Sequence, residues 1–355
     1  MSFVLYIISY IFKTVVSFRE ILYKKNILQK KRFSVPIVSI GNIAVGGSGK
    51  TPMVVYLSNY FEKQKIKHVV VSRGYKKQGR GTLIVQDYKK KHILNPKIAG
   101  DEPILLSQKL SNIPIVVDSN KLRGVRSAII KFKPQLILID DGFQSHYIAK
   151  NHDLVLIDHS IPINKYTVMP LGILREPINA LKRASFVLFV NKGTINPKVK
   201  QLIVPILKKY KIPSLDAEFE SQLYKYNKNQ DKLFDTESVL IQKIKQPVIA
   251  ISGIGNATSF VKLTNRYCLN IIKQYHFTDH FQYSIKNKKI KNILTQIDQS
   301  QKQGSPLGII TTLKDFVKIK QLKEFQLGSI DIYVIDINLQ IQKSENLLRL
   351  INPKN

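Results

Sequence analysis

The chain has one cysteine, Cys268, among its 355 residues. A single thiol excludes a disulfide framework and any cysteine-rich metal site. Acidic residues are also scarce: 24 Asp and Glu stand against 56 Lys and Arg, which gives a formal net charge of +32 at pH 7. Such a surface attracts phosphate groups of nucleic acid, anionic lipid or a phosphorylated substrate. The basic residues are spread along the chain and no aromatic-rich RNA-binding run is present, so a nucleic-acid partner is not expected.

The chain also lacks an uncharged apolar run of the ~20 residues that a membrane span needs. The N-terminal segment is its most apolar one, and Lys13 interrupts it. Apolar pairs recur there every four residues: Phe3/Val4, Ile7/Ile8, Ile11/Phe12 and Val15/Val16. This spacing predicts a helix with one broad apolar face. Neither a basic leader nor a small-residue cleavage site accompanies it, so a cleaved signal peptide is not expected.

A cluster of basic residues follows this segment: Lys24, Lys25, Lys30, Lys31 and Arg32. This basic collar suits anionic lipid headgroups, at roughly 1 kcal/mol for each residue near the surface. Residues 1–33 are therefore predicted to form an amphipathic helix and collar that anchor the protein in the membrane interface, as a monotopic peripheral protein on the cytoplasmic side. An ordinary core helix is the alternative interpretation of the same pattern.

The stretch "SIGNIAVGGSGKTP" (39–52) nearly matches the phosphate-loop pattern G-x-x-x-x-G-K-[ST], with Ala44 in the position of the first glycine. A phosphate loop needs converging backbone N–H groups, a mobile ammonium and a hydroxyl for Mg²⁺. The predicted nucleotide-binding residues are Gly46, Gly47, Ser48, Gly49, Lys50 and Thr51. An apolar run precedes the loop and helical spacing follows it, so the positive end of a helix would face the anion. A glycine-rich turn that contains Lys-Thr by chance is the alternative.

Beyond the loop, apolar runs alternate with helix-like stretches. The runs are "HVVVSRGY" (68–75), "IPIVVDS" (113–119), "PQLILIDDGFQ" (134–144), "HDLVLID" (152–158) and "ASFVLFVN" (184–191). Such near-continuous strands are typical of a parallel sheet covered on both faces, with the chemistry at their carboxyl ends. "LILIDD" resembles a Walker-B strand, so Asp140 and Asp141 are predicted to hold Mg²⁺ with Thr51. Helix capping or pairing with lysines is the alternative for the two carboxylates.

A second α/β unit is predicted between "PVIAISGIGN" (247–256) and "IDIYVIDINLQI" (330–341). The predicted fold class is therefore α/β: a P-loop NTPase-like core with a parallel sheet, a second, smaller α/β lobe and the N-terminal amphipathic helix. The predicted domains are the helix and collar at 1–33, the P-loop kinase core at 34–220 and the second lobe at 221–355.

Eight motifs occur in a fixed order: "GNIAVGGSGKTP" (41–52), "SRGY" (72–75), "GDEP" (100–103), "DDGFQ" (140–144), "PLGILREP" (170–177), "GIGN" (253–256), "DHF" (279–281) and "TLKDFVK" (312–318). This ordered set resembles the tetraacyldisaccharide 4'-kinase family, the lipid A kinases of Gram-negative bacteria. The resemblance extends from the N-terminal helix to about residue 320. The family's loop also lacks the first glycine, which favours a nucleotide site here.

The resemblance implies ATP and Mg²⁺ as cofactors and transfer of a γ-phosphate to the 4'-hydroxyl of tetraacyldisaccharide 1-phosphate, giving lipid IVA. It implies Asp101 as the general base and His280 as the histidine that tunes it; with Lys50 these are the predicted catalytic residues. The implied substrate-binding residues are Arg73, Tyr75, Gln144, Arg175 and Glu176. The implied partners are the lipid substrate and the anionic cytoplasmic surface of the bacterial inner membrane, with no obligate protein partner.

The sequence departs from the family pattern in three places. Ser145 stands where the family has a histidine, which leaves open whether His146 replaces that ring. Lys121 stands where a cleft arginine is expected, and "RGYKKQGRG" (73–81) has lysines where the family tends to have glycines.

Two other functions remain open from the residues alone. A GTPase would need N-K-x-D, whereas Asn191 and Lys192 are followed by Thr194 in the aspartate position. A nucleic-acid-dependent ATPase would bind with a steep salt dependence. The amphipathic N-terminus argues against that second class.

Overall fold

The computed structural model describes residues 2–93, 95–192, 195–226, 243–255, 257–305, 307–327 and 330–353. Thr194 and Asn256, which belong to motifs quoted above, lie outside these ranges. The strands of the described residues are β1 (Ile37–Asn42), β2 (His68–Ser72), β3 (Leu83–Gln86), β4 (Ile115–Val117), β5 (Leu136–Asp140), β6 (His152–Asp158), β7 (Phe186–Asn191), β8 (Ser214–Lys225), β9 (Val248–Ser252), β10 (Ile271–His276), β11 (Gly308–Thr312) and β12 (Ile332–Ile341).

Helices connect most of these strands. They are α1 (Ser2–Lys24), α2 (Lys50–Lys63), α3 (Pro96–Ala99), α4 (Asp101–Lys109), α5 (Lys121–Phe132), α6 (Pro197–Lys209), α7 (Ala257–Tyr267), α8 (Lys288–Lys302), α9 (Leu313–Ile319), α10 (Lys323–Leu327) and α11 (Glu345–Ile351). Two short 3₁₀ helices, Ile163–Lys165 and Ile178–Arg183, lie between β6 and β7.

The described strands form one sheet, in the order β10-β9-β11-β12-β8-β7-β6-β1-β5-β2-β4-β3. Neighbouring strands are parallel except for the β3–β4 and β8–β12 pairs. Alternate residues of the central strands enter different core clusters, as Val38 packs with residues of α2 and Ile37 packs with residues of α5. Burial on both faces is the reason why these strands read as continuous apolar runs. The predicted α/β fold is confirmed.

The antiparallel β8–β12 pair joins two parallel blocks: a first block with β1, β2 and β4 to β8, and a second block with β9 to β12. The predicted boundary after residue 220 falls inside β8, where Glu220 pairs with Asn338 of β12. The two units therefore share a continuous sheet through β8 and β12. The edge strand β3 was not predicted.

Helix α1 ends at Lys24 and leaves most of its apolar side chains in contact with solvent. The exposed fractions lie between 45% and 75% for Phe3, Ile7, Ile11, Val15 and Phe18. The opposite side of the helix packs on the protein, where Ser9 donates a 2.7 Å hydrogen bond to the carbonyl of Val168. No helix among the described residues is both long enough and apolar enough to cross a membrane.

Candidate active site

A tight turn connects β1 to α2 and forms the predicted phosphate loop. Gly46 and Gly49 have φ angles of 103° and 91°, which L side chains rarely adopt. A Cβ on Gly49 would also lie 2.7 Å from the ring of Phe219. Ala44 is not among the residues with positive φ, so an alanine is tolerated where the pattern has glycine. Helix α2 begins at Lys50, and its first N–H groups therefore face the turn.

The ammonium of Lys50 faces the carboxyl end of β5. Its Nζ lies 3.6 Å from Asp141 Oδ1, and Arg175 Nη1 donates to the two oxygens of the same carboxylate at 3.2 and 3.0 Å. Burial acts to raise the pKa of Asp141, but Lys50 and Arg175 outweigh it and lower the pKa to about 2. Asp141 is therefore ionised at neutral pH.

Asp140 ends β5 beside β1, where it pairs with Ile40. Its Oδ2 accepts a 3.2 Å hydrogen bond from Ser72, while its Oδ1 is buried with no hydrogen-bond partner in the described part of the chain. Burial, followed by the charges of Glu102 and Asp141, raises the pKa of Asp140 to about 7. An approaching cation would reverse this effect, because it removes the cost of a second buried negative charge.

The oxygens of Thr51, Asp140 and Asp141 fit a magnesium ion. They are hard oxygen donors, and the unpartnered Oδ1 of Asp140 leaves one ligand position open. Among the described residues, no group of three or more His, Cys, Asp or Glu side chains is placed to hold a metal by itself. Such a site suits Mg²⁺ that is shared with nucleotide phosphates, which usually takes only one or two protein carboxylates.

Asp101 lies buried at the start of α4, with 5% of its surface exposed. Its Oδ2 accepts a 2.9 Å hydrogen bond from Nδ1 of His280, which follows β10 and belongs to the second block. Burial acts to raise the pKa of Asp101, but the hydrogen bond and the charge of His280, followed by the charges of Lys314 and Lys318, outweigh burial and lower the pKa. The structure thus brings together the predicted acid–base pair from distant parts of the sequence.

Known proteins are similar to this one over nearly the whole chain. A family model described as tetraacyldisaccharide-1-P 4'-kinase matches residues 1–354. The chain belongs to that family. It is 30% identical to the tetraacyldisaccharide 4'-kinase of Halothermothrix orenii, over 99% of this chain and 92% of the relative. Against the Aquifex aeolicus relative the identity is 28%, over 97% and 96% of the two chains.

A solved structure of a 4'-kinase has the same fold. The crystal structure of LpxK from Aquifex aeolicus in complex with ATP superimposes with a TM-score of 0.72 at 26% identity, covering 97% of this chain and 96% of that chain. The predictions of family, fold class and kinase activity are confirmed. The roles of individual residues stay predictions.

Two cavities flank the 4'-kinase site and contain the predicted substrate-binding residues other than Glu176. One has a volume of about 350 Å³ and is lined by α1 together with Gln144 and Arg175. The other, of about 500 Å³, is lined by the loop from Arg73 to Gly81 and by Ser119. The ring of Tyr75 in this loop contacts His280 edge to face, with ring centroids 4.9 Å apart.

Glu176, predicted to bind the substrate, contacts protein groups in the structure. It is fully buried, and its carboxylate accepts hydrogen bonds from Arg183, from His146 Nε2 at 3.0 Å and from Arg19 of α1 at 3.4 Å. Its hydrogen bond with Arg19 connects Glu176 to α1, and its role in substrate binding stays a prediction. His146 also stacks on Tyr23 of α1, with 5.6 Å between the ring centroids. Its ring therefore contacts Glu176 and α1.

Several functional candidates had no assigned role in the sequence analysis. Glu102 follows Asp101, and its pKa is raised by burial, with Lys50 acting in the opposite direction and Asp101 adding to it. Lys121 is 5% exposed and donates to the carbonyl of Asp141. Burial lowers the pKa of Lys121 to about 8, although Asp141 raises it. Lys121 therefore places an ammonium where the family pattern predicts an arginine.

Lys192, which belongs to the incomplete guanine motif, contacts the phosphate loop in the structure. Its Nζ donates to the carbonyl of Gly47 in the phosphate loop and to the carboxylate of Asp158 at the end of β6. The lysine therefore ties the turn to a neighbouring strand. The sequence feature that could have predicted this contact is the position of Lys192 directly after β7. The carboxyl end of that strand lies on the same edge of the sheet as the turn.

Proposed function

We propose that this chain transfers the γ-phosphoryl group of MgATP to the 4'-hydroxyl of a tetraacyldisaccharide 1-phosphate. The observation that carries the proposal is the hydrogen bond between the buried Asp101 and His280 near a phosphate loop. Glu102, the next residue after Asp101, interacts electrostatically with Lys50 of that loop. Family membership supports the acceptor, and the similarity to a relative in complex with ATP supports the nucleotide.

The phosphate loop binds the nucleotide through several groups. The N–H groups of Gly46, Gly47, Ser48 and Gly49 and of the first turn of α2 donate to phosphate oxygens. Lys50 moves from Asp141 onto the β- and γ-phosphates, where its charge stabilises the transferring group. Thr51, Asp140 and Asp141 would hold Mg²⁺, which when bound would neutralise charge on the phosphate oxygens.

Asp101 is the general base of the proposed reaction. Its lowered pKa makes it a carboxylate at neutral pH, able to accept the proton of the 4'-hydroxyl. As the bond from the hydroxyl oxygen to the γ-phosphorus forms, the bond from that phosphorus to the β,γ-bridging oxygen breaks and ADP leaves with the electron pair. His280 holds Oδ2 of the carboxylate and so fixes the direction in which the proton is taken.

Helix α1 and the basic collar place the enzyme at its lipid substrate. The exposed apolar side chains of α1 would enter the acyl region, while the collar contacts anionic headgroups on the cytoplasmic face of the inner membrane. The 350 Å³ cavity lies between α1 and the cleft residues Gln144 and Arg175. A lipid would thus keep its acyl chains in the membrane while its sugar head enters the cleft beside Asp101. The cavity at α1 and the cavity with Arg73 and Tyr75 would lie on two sides of that sugar head.

A lipid-labelling assay tests the proposed function. The purified protein, incubated with [γ-³²P]ATP, Mg²⁺ and detergent-dispersed tetraacyldisaccharide 1-phosphate, should transfer the label to the lipid, and mild hydrolysis should place it on the 4' position. The matched acceptor with a blocked 4'-hydroxyl should stay unlabelled. Release of labelled phosphate without lipid labelling, or stimulation of ATP hydrolysis by DNA or RNA, would contradict the proposal.

The membrane role of α1 can be tested without disturbing the core. Changing Phe3, Ile7 and Ile11 to serine removes side chains that are 75%, 45% and 56% exposed, so the fold should persist. Each large apolar side chain contributes about 1.5–3 kcal/mol when buried, and the triple variant should bind anionic vesicles about 100-fold more weakly or worse. Vesicle sedimentation measures the change. Ile130→Ser, at a site 78% exposed on α5, is the control; equal binding by the triple variant would exclude α1 as the anchor.

A further inference from the structure

We infer that Lys314 and Lys318 of α9 are positioning residues for the Asp101–His280 pair: Lys314 fixes the ring proton of His280 on Nδ1, and Lys318 holds Asp101 in place as a carboxylate. The inference rests on the proposed function, because it deepens how that same site works. Neither lysine belongs to the phosphate loop or to the magnesium site. Both act from the second block on a base that belongs to the first.

The contacts of His280 determine which nitrogen carries the proton. Lys314 Nζ lies 3.2 Å from Nε2 of His280 and donates to Asp279 Oδ1 at 2.8 Å. An ammonium has only N–H donors, so Nε2 must be the acceptor. On the other side of the ring, the carboxylate of Asp101 can only accept, so Nδ1 must donate. One neutral tautomer satisfies both neighbours, and Lys314 therefore selects the ring form that donates to the base.

Lys318 is a buried cation beside the base. Its side chain is 2% exposed, and Nζ lies 3.8 Å from Asp101 Oδ2 and 3.4 Å from Asp315 Oδ1. Neither Nζ of Lys318 nor Oδ1 of Asp315 has a hydrogen-bond partner in the described residues. The ammonium is therefore held between two carboxylates by charge. A shift of about 1 Å would bring it to charge-assisted hydrogen-bonding distance from Asp101.

The fold keeps the two lysines on one side of α9. They are four residues apart, which places them on the same helical face. Asp315 fixes the start of that helix, since its Oδ2 accepts hydrogen bonds from the backbone N–H of Gly253 and from the hydroxyl of Thr312, each at 2.8 Å. The positive face of α9 is thereby presented to α4, and it reaches Asp101 only where the two blocks meet.

The other charged and titratable groups around the pair are few. Asp101 has Glu102 next to it on its own helix. The ring of His280 faces Tyr75 of the loop after β2, and Nε2 of His280 lies 3.8 Å from Oδ2 of Asp279. Glu102 and Asp279 are both acidic. Lys314 and Lys318 therefore add to the hydrogen bond and the charge of His280 in lowering the pKa of Asp101.

The test compares the charge-removing variants Lys314→Met and Lys318→Met with Lys314→Arg and Lys318→Arg, which keep the charge. Without either ammonium, the carboxylate of Asp101 holds a proton more readily. The acid limb of the kcat–pH profile should then move up by about 1 pH unit, so kcat at a pH on that limb should fall up to about 10-fold with KM for ATP unchanged. Each arginine variant should keep its acid limb at the wild-type position. Lys302→Met, which removes a surface lysine paired with Asp298 on α8, is the matched control.

Nitrogen-15 NMR of His280 supplies a readout that a merely structural lysine would not change. The wild-type ring should carry its proton on Nδ1 alone, and Lys314→Met should show a mixture of ring forms. Lys314 is 21% exposed, so this variant should fold even if Lys318→Met does not, and thermal unfolding checks both. An unmoved acid limb with wild-type kcat, or arginine variants as impaired as the methionine variants, would overturn the inference. The lipid-labelling assay on the wild type fails only if the proposed function is wrong, which separates the two conclusions.

Discussion

Replacing Lys50 by alanine should lower kcat by at least about 10³-fold while the protein stays folded. Its ammonium is the group placed to move from Asp141 to the β- and γ-phosphates, and loss of one such transition-state contact costs about 10²–10³ or more in rate. The fold should tolerate the change because Asp141 keeps its two hydrogen bonds from Arg175. Label transfer to the lipid measures kcat, and circular dichroism with thermal unfolding measures the fold.

The control for this prediction lies on the same helix. Lys63 is exposed at the end of α2, so Lys63→Ala removes an equal charge far from the turn and should leave kcat near the wild-type value. A folded Lys50→Ala protein with near-normal turnover would show that another group stabilises the transferring phosphoryl group. Such a result would remove the phosphate loop from the mechanism.

The sequence predicts the phosphate loop well because its parts are local. Strand, turn and helix follow one another within residues 37–63, and the positive φ angles of Gly46 and Gly49 are what a glycine-rich pattern indicates. The central strands are predictable for a similar reason, since burial on both faces leaves a continuous apolar run. Local chemistry and local pattern agree in these segments.

Contacts between distant segments were not predictable from pattern. Asp101 and His280 are 179 residues apart, and only the family resemblance paired them. The hydrogen bonds of Glu176 with Arg19 of α1 and with His146 are further contacts between distant segments that its motif does not predict. The antiparallel pairing of β12 with β8 is another contact of this kind, because it joins strands that are more than 100 residues apart along the chain.

Asp140 and Asp141 are adjacent in the sequence, but their different surroundings give their carboxylates different pKa values. Burial and neighbouring carboxylates raise the pKa of Asp140 to about 7, whereas Lys50 and Arg175 overcome burial and lower the pKa of Asp141 to about 2. The backbone turns between them, since Asp141 has a φ of 51°. The letters "DD" in the sequence predict two carboxylates at a strand end. Only the fold shows that Asp141 faces the cations while Asp140 lies at the buried end of the strand.

Replacing Asp101 by asparagine should lower kcat about 10²–10⁴-fold, the usual range for loss of a general base, with ATP binding nearly unchanged. Asparagine keeps the size of the side chain and an oxygen that can accept from His280, but it cannot take the proton of the hydroxyl. Asp298→Asn on the surface of α8 is the matched control, and its kcat should not change. Single-turnover label transfer measures the chemical step, and equilibrium binding of an ATP analogue measures the nucleotide site separately.

The double variant Asp101→Asn/His280→Ala decides whether the two residues act as one unit. His280→Ala alone should lower kcat, because Asp101 then loses the donor that fixes its Oδ2. Since the histidine acts only through the carboxylate, its removal should cost little once the carboxylate is gone. On a free-energy scale, the loss of activity in the double variant should be clearly smaller than the sum of the losses in the two single variants. Fully additive losses would mean that His280 contacts the substrate or the phosphoryl group directly, and the base would then have to be positioned by Lys318 and the backbone of α4 alone.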